Sequence, residues 1–265
     1  MNIYKKNGFA YFKNEIISYE LKELRKIVKK NFSNPTRYYN KLSIINFRKK
    51  VFNVKKKIVK SNLVNQMRKK VAEHMRVTLK IKDEIYFTSF FAFLVARPDY
   101  SSHGDEVLEF HRESFYAGPD KKFIKKQINV WIPIFDLKKN QMLKYIPQSS
   151  KILDKKFKFN ITNVQNVKKN SPSHHLGYLH STKRIVKGVD LSKAKRFNLP
   201  KDNSVFFDSN LIHGAGTNMS KKIRFVIAFG LLEKKKYLKL KKKKITTFRS
   251  NEEYFISSEN LAKSA

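Results

Sequence analysis

Apolar residues recur along the first third of the chain at spacings of three and four. Ile17, Leu21, Leu24 and Val28 lie on one stripe, so residues 15–30 are expected to form an amphipathic helix with its lysines outward. Leu63, Met67, Val71 and Met75 predict a second helix over 62–80. A stripe of this kind ordinarily packs a helix against a core, so both read as packing elements.

From about residue 84 the period changes. Short runs rich in β-branched and aromatic residues cover 86–95, 107–116, 127–135, 142–146, 204–207 and 223–232, divided by polar turns. This spacing predicts a mostly β architecture with flanking helices, a sandwich or barrel rather than a parallel α/β sheet. Residues 151–200 interrupt it with a polar, Lys/Asn-rich stretch, expected to form an insertion over one mouth of the barrel. The run KKKYLKLKKKK at 234–244 reads by default as a solvated face; Tyr237, Leu238 and Leu240 could pack it as a final edge strand, its lysines discouraging edge-to-edge association, and it lacks the strong apolar face of a membrane-surface contact. The expected organisation is an N-terminal helical segment over 1–83 packed on a barrel, a barrel core over 84–232, and a lysine-rich extension over 233–265.

Composition narrows the chemistry. With 265 residues and 41% apolar content the chain can bury a sizeable core. It has no cysteine, which excludes disulfides, thiolate zinc sites, iron–sulfur clusters and cysteine nucleophiles, so any metal is held by nitrogen and oxygen. Neither a signal-peptide-like start nor a membrane-length apolar run is present, and a cytoplasmic location is expected. The net charge of +37, from 58 Lys and Arg against 21 Asp and Glu, suits nucleic acid or an anionic membrane surface on electrostatic grounds. Lysine nevertheless far outnumbers arginine, Asn, Ile, Phe and Tyr are plentiful, and Gly and Ala are sparse. That is the bias of A/T-rich codons at permissive surface positions. The charge therefore tilts the reading toward a small anionic substrate and away from nucleic acid, and says nothing of oligomeric state.

Four residues carry the candidate chemistry. In FHRESF, His111 and Glu113 are two apart, so in a strand their Cα atoms lie roughly 6.5 Å apart on one face, with Arg112 pointing away. His213 ends the run SVFFDSNLIH and precedes Gly214-Ala215-Gly216, where a tight turn brings backbone close to the site. Two imidazoles and a carboxylate on one face leave open positions on an octahedral ion, the arrangement of ferrous oxygenases. Eleven positions after His213, Arg224 begins RFVIAFG, where alternation puts it on one face with Val226, Ala228 and Gly230, and Phe225, Ile227 and Phe229 on the other. A buried guanidinium needs a counter-charge, and a bound carboxylate supplies one bidentately. A second pair, His103-x-Asp105, sits beside Gly104 in a polar run and reads as loop; His174, His175 and His180 fall in the insertion and read as surface.

The order His111-x-Glu113, Asn129-Val130-Trp131-Ile132-Pro133-Ile134, Leu143-Lys144-Tyr145-Ile146-Pro147-Gln148-Ser149-Ser150-Lys151, His213 and Arg224 resembles the phytanoyl-CoA dioxygenase-like branch of the Fe(II)/2-oxoglutarate-dependent oxygenases, over about residues 84–232. The resemblance implies a double-stranded β-helix (a jelly-roll, cupin-like barrel) in which His111, Glu113 and His213 bind Fe(II). Arg224 would hold the distal carboxylate of 2-oxoglutarate, Trp131 would line its pocket with Asn129 on the same face, and O2 would be consumed. Glu113 stands where the family more often has Asp, and Pro147-Gln-Ser-Ser lacks the glycine and histidine of the usual Pro-Gly-Ser-His. Two other functions fit the same residues. One is a cupin-like metal-dependent isomerase or epimerase in which Arg224 binds a substrate carboxylate or phosphate; the other is an inactive barrel whose basic surface binds nucleic acid or lipid.

Overall fold

A computed structural model describes residues 3–98, 110–113, 125–161, 183–214, 218–240 and 255–262. The first of these stretches holds five helices, α1 (Ile3–Asn7), α2 (Ser18–Asn31), α3 (Thr36–Lys41), α4 (Ile44–Lys60) and α5 (Leu63–Leu79), and three strands, β1 (Phe9–Lys13), β2 (Ile85–Thr88) and β3 (Ala92–Ala96). The predicted stripe of α2 is buried at Leu21, Leu24 and Val28, and that of α5 at Met67, Val71 and Met75. Between them α4 buries Phe47, Val51, Val54 and Ile58, the same four-three-four spacing, which the dense lysines of that region conceal.

Then follow β4 (Ile128–Pro133), β5 (Lys144–Tyr145), β6 (Lys158–Ile161), β7 (Lys183–Lys187), β8 (Lys195–Arg196), β9 (Asn203–Asp208), β10 (His213–Gly214), β11 (Arg224–Glu233), a helix α6 (Lys234–Leu240) and β12 (Phe255–Ile256). The strands form a seven-stranded antiparallel sheet in the order β1-β9-β4-β11-β2-β12 with β3 also on β11, a small sheet β10-β5-β8, and the hairpin β6-β7. The mostly antiparallel architecture with flanking helices is that of the expected double-stranded β-helix.

Period-two alternation divides the large sheet. Val130, Ile132, Phe206, Phe225, Ile227 and Phe229 belong to one core, shared with α2, α4 and α5. Trp131, Val205, Phe207 and Val226 point the other way, into a second core with Leu143 and Phe197, which come from the small-sheet side. Phe197 meets Phe9 edge-on at 4.9 Å and stacks on Tyr145 at 4.6 Å, binding the two sheets together. The candidate site lies between these sheets.

Several local expectations are corrected. Residues 86–95 are not one strand: the run breaks after Thr88, whose hydroxyl donates to Phe90 O and accepts from Gly230 N–H, so β2 and β3 dock on different parts of β11. The first strand of the large sheet lies between α1 and α2, in a segment expected to be helical. The lysine-rich run at 234–240 is a helix and not an edge strand. Asp83 accepts from the Lys235 amide at its start, Tyr237 is buried against Tyr86, and Leu238 is left exposed. Of the candidates weighed above, His103, Asp105, His174, His175 and His180 lie outside the described residues.

Candidate metal centre

His111 and His213 are brought together by the backbone itself. They form an isolated antiparallel bridge, each amide donating to the other's carbonyl at 2.9 and 3.0 Å. Directly opposed residues in such a pair share a face, and the imidazole centroids are 4.4 Å apart. Glu113 lies beyond the bridge and outside any strand, and its amide donates to Ser209 O at 3.2 Å. Its Oε1 lies 3.3 Å from His213 Nε2 and 3.8 Å from His111 Nε2. One nitrogen or oxygen from each of the three lies within 4.8 Å of the others, a set able to hold a metal ion.

His213 is also placed differently from expectation. The run that was to end in it stops at Asp208, where an Asx turn intervenes, with Asp208 Oδ1 accepting from Asn210 N–H at 2.7 Å; His213 then lies in β10, in the other sheet. Its Nδ1 is 2.9 Å from Leu211 O. A proton on Nδ1 makes that contact a hydrogen bond; Nε2 donates to Glu113 while it too carries a proton, and once that proton is given up its lone pair faces the site, the tautomer a metal needs. Burial alone raises the Glu113 carboxyl; the hydrogen bonds to His111 and His213 outweigh it and hold the group well below the usual carboxylate range. The carboxylate is thus ionised and ready as a ligand.

Arg112, between the two ligands, points away as alternation requires, into a socket. It is 1% exposed, donates to Asp154 Oδ1 at 2.6 Å and to the carbonyls of Ser149 and Ile152 at 2.5 and 2.7 Å, and packs over the Phe157 ring. Ser149 Oγ in turn accepts from Ile212 N–H at 2.8 Å, next to His213. Residues 149–154 therefore clamp both arms of the triad. A buried arginine needs partners, and Arg112, set between two ligands in the sequence, meets that need through this clamp as Arg224 does at its own corner.

Gln148, where the related motif has glycine, adopts φ 59°. Residues with a Cβ disfavour this left-handed region by about 1–2 kcal/mol, part of which glycine forfeits through its freer unfolded state. Gln148→Gly is expected to raise the thermal midpoint, by about 1 kcal/mol of stability; an unchanged or lowered midpoint in a melting curve would refute this strain.

Arg224 lies on the interior face, 5% exposed, donating to Gln141 O at 2.7 Å. Burial, then the charge of Arg196, brings its pKa down to about 10. Arg196 donates to Met142 O at 2.9 Å, so residues 140–142 hold two guanidiniums at one corner. Nothing in the sequence singled out Arg196 among its lysine-rich neighbours. Trp131 is buried opposite Ala228, and Asn129 lies opposite Gly230 on one side and Phe207 on the other. The Phe207 ring packs edge-on against His213 at 4.6 Å. Gln127 donates from Nε2 to Asn129 Oδ1, and Gln127 Oε1 and Asn129 Nδ2 are buried with no hydrogen-bond partner among the described residues.

An antiparallel two-sheet core that carries a His-Glu-His set and a buried arginine corner fits the class of non-haem metal enzymes built on the double-stranded β-helix. The family model for phytanoyl-CoA dioxygenase matches residues 4–226, and the chain belongs to that family. With that family and its triad, the protein is an oxidoreductase of the iron- and 2-oxoglutarate-dependent kind. Among solved structures it is similar to EvdO2 from Micromonospora carbonacea var. aurantiaca, at 14% identity over 87% of this chain and 88% of that one, with a TM-score of 0.56. The complex of EvdO2 with 2-oxoglutarate superposes with a TM-score of 0.51, at 14% identity over 87% and 89%. ThoJ, a non-haem monooxygenase, is 15% identical over 87% and 75%, with a TM-score of 0.46. No curated protein sequence matches the chain. The family match begins at residue 4 and so includes the N-terminal helices, beyond the 84–232 span on which the resemblance was read. No helix among the described residues is long and apolar enough to cross a membrane.

Proposed function

We propose that the chain is an Fe(II)/2-oxoglutarate-dependent dioxygenase that hydroxylates or otherwise oxidises a small, anionic organic substrate. The observation that carries this reading is the meeting of His111, Glu113 and His213 on a preformed backbone bridge, with Arg224 buried on the facing sheet's interior side. Family membership and the 2-oxoglutarate complex of EvdO2 support it.

In this reading His111, Glu113 and His213 hold Fe(II), and the bound ion with 2-oxoglutarate and O2 supplies the oxidising chemistry. Arg224 receives the distal carboxylate in a corner already cationic from Arg196, where the low dielectric strengthens each contact. Trp131 forms the apolar wall along Val226 and Ala228. The Gln127–Asn129 pair presents one free acceptor and one free donor; exchanging O and N in both amides reverses the roles and leaves the same complement. Such a pair orients a bound molecule that both donates and accepts, such as a hydroxyl-bearing one. The surface charge of +37 favours anionic substrates through attraction at long range.

Anaerobic addition of Fe(II) and then 2-oxoglutarate to the purified protein should produce a weak visible charge-transfer band, with the half-saturating 2-oxoglutarate concentration raised at least about tenfold in Arg224→Met, as for loss of a charge-assisted hydrogen bond of about 1.5–3 kcal/mol. Absence of the band in the wild-type protein would overturn the reading. Trp131 is the sole tryptophan. Its emission should therefore change on addition of 2-oxoglutarate to the iron-loaded protein, and emission indifferent to 2-oxoglutarate at concentrations that saturate the band would remove Trp131 from the pocket.

A further inference from the structure

On the helical side of the large sheet, away from the metal centre, a cavity of about 120 Å³ opens between α4, the start of α5 and the chain leaving β2. A single water needs only about 10–15 Å³ by this measure, so the space admits an ion of several heavy atoms. Its polar wall is Lys55, Asn62, Asn65, Arg68 and Ser89, and none of the residues lining it is acidic.

Arg68 is 1% exposed and has no carboxylate partner among the described residues. Its guanidinium donates to Asn65 Oδ1 and the Thr88 carbonyl and lies over the rings of Phe87 and Phe229, while Nε has no hydrogen-bond partner. Burial lowers its pKa to about 9, with no neighbouring anion to raise it again, in contrast to Arg112 beside Asp154. A full charge buried without an opposite one is costly, and the neutral acceptors around it offset only part of that cost. The seventeen-residue α5 aims the same way: Asn62, its N-cap, makes no side-chain cap bond and the first turn carries no acidic residue, so its amide end remains uncompensated. The Lys55 ammonium, 5.3 Å above the Phe91 ring, completes a third cationic wall.

We propose that this cavity is a binding site for a tetrahedral oxyanion, a phosphate either free or as the terminal group of a phosphomonoester, held by Lys55 and the N-terminus of α5 over the buried charge of Arg68. The site is separate from the metal centre and does not depend on the oxygenase reading.

The test is thermal unfolding of the metal-free full-length protein in inorganic phosphate, in glycerol phosphate, and in chloride at equal ionic strength. A specific site at a hundred times its dissociation constant should raise the midpoint by about 5–10 °C over chloride, saturably. Phosphate acting alone identifies a free-ion site and both acting identifies a monoester site; equal midpoints in all three salts would refute the proposal. Arg68→Met keeps the stacked chain without its charge and should abolish the phosphate-specific shift. Should that variant not fold, Ser89→Asp carries the test, because it places a fixed carboxylate in the cavity and should remove the phosphate dependence while the protein stays folded. A shift retained in Ser89→Asp and in Lys55→Ala would show that phosphate acts elsewhere on the basic surface.

Discussion

Alanine at position 213 is expected to leave a folded protein that retains iron at least about 100-fold more weakly than wild type, beyond the 10–100-fold that loss of a supporting residue costs a metal site. The backbone reason is specific to this chain: the His111–His213 bridge is made by main-chain groups, so removing the imidazole removes a ligand without unzipping the rung that presents the other. The Phe207 ring loses its edge-on partner and little else. Metal analysis after anaerobic loading and desalting reads the result, alongside a melting curve of the metal-free protein. Stoichiometric iron in His213→Ala would exclude the triad as the binding site. A melting midpoint collapsed along with the iron would show instead that the imidazole is structural.

The largest loss of stability is expected at Arg112. Arg112→Met strands Asp154 and leaves two carbonyls, of Ser149 and Ile152, without their donor, and breaking a buried pair on one side costs about 3–5 kcal/mol. Asp154 also accepts from Lys125 at 2.5 Å and is partly exposed, which places the expected cost at the lower end of that range. The clamp has a pH signature as well. Burial raises the Asp154 carboxyl, but its bonds with Lys125 and Arg112 outweigh this and lower it. A carboxylate depressed in the folded state contributes stability that is fully present above the ordinary aspartate range and is lost as pH falls through the folded value. Wild-type stability should therefore fall more steeply below about pH 4 than that of Asp154→Asn, as measured by urea midpoints across pH. Parallel acid limbs in the two proteins would remove Asp154 from the clamp. Because the clamp acts on ligands it does not touch, Arg112→Met should also weaken iron retention, while Arg112→Lys should restore part of the stability and little of the iron affinity, lacking the fork that reaches three acceptors.

Much of this site was legible because its residues obey short-range rules. Alternation along 223–232 assigned Arg224 and Val226 to one face and Phe225, Ile227 and Phe229 to the other, and the two cores divide that way. The helix stripes at 17–28 and 63–75 were legible for the same reason. What escaped depends on partners distant in sequence. Thr88 breaks a run that reads as a continuous strand because its hydroxyl finds Gly230, and the 234–240 run becomes a helix because Asp83, 152 positions earlier, accepts from the amide of Lys235. Glu113 reaches the histidines from beyond the bridge and outside any strand, which i, i+2 spacing cannot distinguish when both outcomes bring the groups together. Arg196 and Gln127 acquire meaning only beside Arg224 and Asn129.

The rung joining His111 to His213 also bears on how such a chain changes over generations. Lengthening a surface connection is thermodynamically cheap, about 0.6 kcal/mol for each doubling, so the stretch between the two histidines can gain or lose residues without disturbing their meeting, provided the register at the rung is kept. A one-residue slip of either strand there would turn its imidazole to the face opposite the other's and part the two ligands. Selection for metal binding therefore fixes the register at this rung together with Glu113 and the Arg112 clamp, and leaves the surface connections between these elements free to diversify toward new substrates.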